Sequence, residues 1–156
     1  MSITKGQTAP NFKLVNQDKK EVELASLKGK NVLILFFPFA FTGTCTKELC
    51  SVRDTIATYN NLDAVVLGIS VDSPYTLVRY REEQKLNFDL LSDFNKTTSE
   101  AYGTIYETFG PGLKGVSKRS AFVVDKNGIV RYAEVLDVAT DLPNFENINS
   151  TLQALK

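Results

Sequence analysis

The chain contains no histidine. That absence removes Ser-His-Asp and Cys-His nucleophile pairs, along with most catalytic zinc sites. Any activated nucleophile here must rely on arginine, lysine or a helix terminus instead. Cysteine is scarce as well, with only Cys45 and Cys50 among 156 residues. Five positions apart, they make neither a zinc ribbon nor a C-x-x-C motif. In a reducing compartment such a pair reads as redox-active rather than as a structural staple.

No charge excess is present either, because 18 basic residues balance 18 acidic ones. The charge balance therefore gives no reason to expect nucleic acid or a membrane as partner. Long apolar runs are missing too. The longest, Val32 to Phe41, is interrupted by Pro38 and is too short to span a bilayer. Met1 to Pro10 lacks the apolar segment of a signal peptide, so the expected location is the cytoplasm. No repeat, linker or low-complexity stretch breaks the chain. Hydrophobic residues at 43% and charged residues at 23% fit one globular domain over residues 1–156.

What is present centres on residues 31–50. Asn31 to Phe37 is an apolar run of the kind that forms a strand buried on both faces. Pro38 turns the chain, and a pattern of helical period follows. The expected helix runs from about Thr44 to Tyr59, with Cys45, Leu49, Val52, Ile56 and Tyr59 on its packed face. Cys45 falls in its first turn. There, unpaired backbone N–H groups and the helix dipole favour a thiolate, the nucleophilic form of cysteine. Thr42 and Thr44 can cap the helix or offer a hydroxyl to the sulfur. The plainer reading, a small buried cysteine that only packs, is outweighed by the convergence of strand, proline turn, threonines and helix start. Arg53 can face either this site or solvent.

Around this centre, strands are expected at Asn11–Val15, Glu21–Leu24, Ala64–Val71 and Phe88–Leu91. One helical turn closed by Gly29 is expected over 25–30. Ser73-Pro74 reads as an N-cap with proline at the first helical position, opening a helix to about Leu86. A short helix over Thr97–Tyr102 ends at Gly103. Residues 106–118 read as a glycine-rich loop. A hairpin of Ser120–Val124 and Ile129–Glu134 turns at Lys126-Asn127-Gly128. A last helix starts near Asp141 or Pro143 and packs through Phe145, Ile148, Leu152 and Leu155. This order gives a mixed central sheet flanked by helices, an α/β fold.

Pro38-x-x-x-Thr42-x-x-Cys45 resembles the P-x-x-x-T-x-x-C signature of peroxiredoxins. Gly6-Gln7-Thr8-Ala9-Pro10-Asn11-Phe12 is similar to the family's amino-terminal G-x-x-A-P-x-F. Leu91-Ser92-Asp93, Ala101-Tyr102-Gly103 and Arg119 to Asp125 fit later landmarks. The likeness runs through nearly the whole chain. Phe37 to Gly43 and Leu91 to Phe94 look closest to the AhpE-type branch, whereas Cys45-x4-Cys50 resembles the PrxQ (bacterioferritin-comigratory) branch.

The resemblance implies a thioredoxin-like fold with an amino-terminal β extension. It also implies a thiol peroxidase, using no cofactor or metal, that reduces hydrogen peroxide or organic hydroperoxides through a sulfenic acid at Cys45. Arg119 would supply planar donors and a permanent charge near sulfur. Thr42 would bond the sulfur or a substrate oxygen, the amides of 43–45 would add donors, and Pro38 would shield the site. Glu48 stands where the AhpE-type branch places an acid, either orienting the arginine or complementing the helix terminus. The implied partners are the peroxide and a thioredoxin-like or other thiol reductant. The aromatics Phe39, Phe41, Phe94, Tyr106 and Phe109 suggest a homodimer formed through the face around the site, unless they fill the core. The rival reading is a thiol-disulfide oxidoreductase without peroxidase activity, for which C-x-x-C is the usual motif and is missing.

Cys50 is the resolving candidate, against the alternative that it only packs and an external thiol resolves Cys45. Residues five apart in an intact helix have Cα atoms roughly 8.6 Å apart, beyond the about 7 Å that a disulfide spans. Cys50 also lies off the packed stripe, which turns its sulfur away from Cys45. A Cys45–Cys50 bond therefore requires the start of the helix to unwind.

Overall fold

A computed structural model describes residues 3–156. The chain forms β1 (Lys13–Asn16), β2 (Glu21–Glu23), a 3-10 turn (Leu24–Leu27) and β3 (Asn31–Phe36). Then come α1 (Gly43–Asp54), α2 (Ile56–Asn61), β4 (Ala64–Ser70), α3 (Pro74–Glu83) and β5 (Asp89–Ser92). The chain ends with α4 (Thr97–Ala101), β6 (Ser120–Val124), β7 (Val130–Val135) and α5 (Phe145–Ala154). All seven strands join one sheet in the order β2-β1-β5-β4-β3-β6-β7. Strands β3, β4 and β5 run parallel, as strands joined through helices must, while β6 returns antiparallel against β3. Among the described residues no helix is long and apolar enough to cross a membrane.

Every residue of β3 is buried, as its unbroken apolar run requires of a central strand covered on both faces. Val32, Ile34 and Phe36 pack with Phe12, Tyr102 and Phe122 on one face. Leu33 and Leu35 pack with Leu49, Val52, Tyr80, Ile148 and Leu152 on the other. The carboxyl end of β3 is thus fixed in three dimensions before the chain turns at Pro38.

Several expected boundaries move. The helix expected over Thr44–Tyr59 is two helices, α1 and α2, broken at Thr55, which leaves helical geometry at φ −118°. The Thr55 hydroxyl donates back to the Ser51 carbonyl at 3.0 Å, a local bond that competes with the helical ladder. Tyr59 still reaches the core from α2. Helix α3 stops at Glu83 rather than near Leu86, with Lys85 in the left-handed region at φ 53°. The last helix is capped by Asn144, not started at Asp141: the Asn144 side chain accepts from the Asn147 N–H at 3.0 Å. Ser73 caps α3 as expected, accepting from the Thr76 N–H at 3.2 Å.

Candidate active site

The register of the sheet brings the two halves of the site together. Phe36, the last residue of β3, pairs with Ser120, the first of β6. Arg119 therefore stands at the strand end from which the turn 38–42 departs. Pro38 in that turn is buried, and Phe41 takes a left-handed φ of 62°. Thr42 is extended, and α1 begins at Gly43, which puts Cys45 in the first helical turn, 1% exposed.

Arg119 is itself only 1% exposed, and each of its three guanidinium nitrogens makes a hydrogen bond. Nη2 donates to Cys45 Sγ at 3.2 Å. Nη1 donates to Glu48 Oε1 at 2.6 Å. Nε and Nη2 both donate to the carbonyl of Ala139, at 3.2 and 3.0 Å. Two segments, α1 and the stretch after β7, thus fix one rigid fork of donors, the geometry that arginine offers and lysine does not. Burial works against the Arg119 charge, but Glu48 and then Cys45 outweigh it and hold the group above the ordinary arginine range.

Glu48 lies one helical turn after Cys45 and is fully buried. Burial pushes its carboxyl up to about 7, with the attraction and hydrogen bond of Arg119 opposing. Its second oxygen, Oε2, is buried with no hydrogen-bond partner among the described residues. One guanidinium therefore faces a thiol and a carboxyl that cannot both ionise without leaving a net negative charge in a dry site.

The remaining residues singled out in the sequence divide. Thr42 occupies the N-cap position of α1 but makes no side-chain cap bond. Its hydroxyl donates to the Phe39 carbonyl at 2.8 Å instead. The first amides of α1 consequently lack a side-chain acceptor and keep their donors for another group. Cys50 is half-buried on a different face of α1, where its Sγ donates to Gln84 Oε1 of the segment after α3 at 3.6 Å. Both thiols are free. Arg53 is on that same side, bonded to the Gln84 carbonyl and to Asp54, and does not contribute to the cluster around Cys45.

Among the aromatics, Phe39 meets Phe109 at 5.9 Å between ring centroids, and Phe109 meets Tyr106 at 5.1 Å. Phe41 leans on Tyr80 at 5.0 Å yet stays 50% exposed. Phe94, 61% exposed, lines a separate shallow groove with Val15 and Tyr75.

Two contributors escaped the sequence. The Ala139 carbonyl is a backbone atom, which any residue supplies, so no side-chain pattern signals it. Asp72 accepts from the Ala40 N–H inside the turn, at 2.8 Å. The available signal was an acidic residue just past the end of β4, at the same edge of the sheet as the turn.

Residues 5–133 match the model of the AhpC/TSA family. The chain is 42% identical over 133 residues to alkyl hydroperoxide reductase E of Mycobacterium tuberculosis, covering 83% of this chain and 84% of the relative. It is 39% identical over 132 residues to a putative peroxiredoxin bcp of Coxiella burnetii, covering 83% and 87%. The crystal structure of peroxidoxin BcpB from Mycobacterium tuberculosis superposes with a TM-score of 0.87 at 27% identity, covering 99% of each chain.

Proposed function

The chain belongs to the AhpC/TSA family and is a peroxiredoxin, a thiol-dependent peroxidase; from that premise we propose that Cys45 is the residue peroxide oxidises and Arg119 its activator. The observation that carries this reading is the 3.2 Å contact from Arg119 Nη2 to Cys45 Sγ, made by an arginine that Glu48 and Ala139 hold rigid.

In the proposed reaction the Cys45 thiolate attacks the terminal oxygen of a hydroperoxide. The S–O bond forms as the O–O bond breaks, and sulfur is oxidised to a sulfenic acid while the peroxide is reduced. The leaving oxide takes up one proton and departs as water or an alcohol. Negative charge spreads along the O–O axis during this step, and preorganised donors stabilise it. Arg119 and the uncapped amides at the start of α1 are those donors. Thr42 Oγ, whose proton is committed to Phe39, presents a lone pair to the peroxide O–H. Pro38 closes the floor of the site and limits water. Glu48 orients the guanidinium through Oε1.

A thioredoxin-like or other thiol reductant returns the enzyme to its starting state, either directly or through a Cys45–Cys50 disulfide. This cycle calls for a reducing compartment such as the cytoplasm, where thiol carriers keep Cys45 and Cys50 reduced between turnovers. One continuous sheet joins strands from β1 to β7, which supports a single domain. The chain of rings Phe39, Phe109 and Tyr106, with the half-exposed Phe41, supports a homodimer formed on this face.

The test is stopped-flow oxidation of the reduced protein by hydrogen peroxide, followed by mass spectrometry. The expected product carries one added oxygen, or a disulfide, at Cys45. Cys45→Ser abolishes the reaction, and Cys50→Ser keeps the first oxidation step. Equal first-step rates for wild type and Cys45→Ser would overturn the assignment.

A further inference from the structure

The turn 38–42 carries Thr42 and launches α1, yet it has little backbone support of its own. Pro38 has no N–H to give, and Thr42 bonds back into the turn at Phe39. Among the described residues, the hydrogen bond that ties 38–42 to a segment outside the turn and α1 runs from the Ala40 N–H to Asp72 Oδ2, at 2.8 Å.

The acceptor is built before the turn meets it. The Ser70 hydroxyl donates to the same Asp72 oxygen at 2.7 Å, and the Asp72 N–H donates back to Ser70 Oγ at 3.3 Å. The Ser92 hydroxyl, from β5, donates to the Asp72 carbonyl at 2.6 Å. The Asp93 N–H then donates to the Ser70 carbonyl at 2.7 Å, joining the ends of β4 and β5. Asp72 is thus fixed by two strands, and its carboxylate oxygen points at one amide of the turn.

The next residue is the strained one. Phe41 sits at φ 62°, a region in which a non-glycine side chain is held only when its surroundings dictate it. The Asp72–Ala40 bond on one side and the Phe41–Tyr80 ring contact on the other supply that restraint.

We infer that Asp72 is a positioning residue for the peroxidase reaction: clamped by Ser70 and Ser92, it anchors Ala40 and so sets where Thr42 and Cys45 stand relative to Arg119. This rests on the role proposed above for Cys45. Asp72 does not touch sulfur; it acts through the turn. Reacting groups held in attack geometry lose rate steeply when displaced by an ångström, so losing the anchor slows oxidation more than it weakens the fold.

The experiment compares peroxide oxidation of reduced wild type, Asp72→Ala, Asp72→Asn, Ser70→Ala and Ile148→Val. All are measured where circular dichroism shows each variant folded. Asp72→Ala is expected to lower the second-order rate constant by at least about tenfold, and to slow iodoacetamide alkylation of Cys45. Asp72→Asn keeps an acceptor oxygen and is expected to restore the rate to within about threefold of wild type. Ser70→Ala, which loosens the clamp, falls between the two. Ile148→Val trims one methylene from the core on α5 and leaves the Ser70–Asp72–Ala40 hydrogen bonds untouched, and is expected to lose stability but not rate.

Wild-type rates in Asp72→Ala would overturn the inference. So would equal losses in the Ala and Asn variants, which would point to charge rather than to an anchored amide. If Asp72→Ala does not fold, Ser70→Ala decides, and a wild-type rate there overturns the inference as well. A wild type that peroxide does not oxidise at Cys45 sinks the functional reading itself, and the Asp72 role with it.

Discussion

The guanidinium of Arg119 donates to the sulfur of Cys45 at 3.2 Å across 74 residues of sequence. The same side chain bonds Glu48, three residues after Cys45 on one helix face, at 2.6 Å. Sulfur, carboxyl and guanidinium therefore form one buried cluster with more potential anions than cations. Changing any member changes the electrostatics seen by the other two.

Arg119→Ala is expected to slow oxidation of Cys45 by peroxide on the order of 10²–10³-fold, the loss typical of removing one preorganised donor. It also removes the group that opposes protonation of Glu48, so the carboxyl turns neutral near neutral pH and denaturant unfolding is expected to show a loss of about 1–3 kcal/mol from the buried hydrogen bonds left unmade. Arg119→Lys does not fully restore the rate, because an ammonium cannot serve Cys45, Glu48 and the Ala139 carbonyl in one plane. A variant with an unchanged rate, and unchanged alkylation of Cys45 at mildly acidic pH, would remove the arginine from the mechanism.

Glu48 gives the fold a pH signature. Its carboxyl is raised by burial from an ordinary 4.5 to about 7, so the folded protein holds this proton more tightly than the unfolded chain does. The associated stabilisation is complete below about pH 4.5 and is lost as pH rises to about 7, amounting to roughly 3 kcal/mol. Urea unfolding of wild type and Glu48→Gln across that window checks it. The stability of wild type relative to the variant should fall with rising pH and level off above about 7. A difference that stays flat from pH 4 to 8 would contradict it.

Cys50 tests what the helix permits. Its thiol lies on Gln84, on a different face of α1 from the Arg119 cluster, so linkage to Cys45 requires the first turns of α1 to open. After one equivalent of peroxide without added thiol, mass spectrometry is expected to find a Cys45–Cys50 disulfide. Amide exchange over residues 44–52 should rise at the same time. While unwinding is slow, a second equivalent of peroxide should yield sulfinic acid. A persistent sulfenic acid with both cysteines unlinked would make this a one-cysteine enzyme.

The aromatic face predicts association. Phe41 remains 50% exposed beside the site, and the Phe39–Phe109–Tyr106 rings line the same region. Sedimentation velocity at micromolar concentration is expected to show a dimer, and Phe41→Asp to shift it towards monomer. Wild type sedimenting only as monomer would count against that surface.

The sequence alone determined what depends on local chemistry. An unbroken apolar run made β3 a central strand, Pro38 ended it, and Cys45 fell in the first turn of a helix because helical periodicity begins just before it. Arg119 and Glu48 were marked by their place in a motif. Only the tertiary structure decided how these pieces meet. Pairing of Phe36 with Ser120 set Arg119 at the mouth of the turn. The Ala139 carbonyl, a backbone atom with no sequence identity, closed its hydrogen bonds. Thr42 turned its hydroxyl to Phe39 rather than to the sulfur, a rotamer choice left open by composition. The Thr55 hydroxyl broke the long helix that periodicity had joined. Periodicity records which side chains face the core. It does not record which backbone carbonyl a polar side chain will find, because that depends on segments brought together only when the sheet closes.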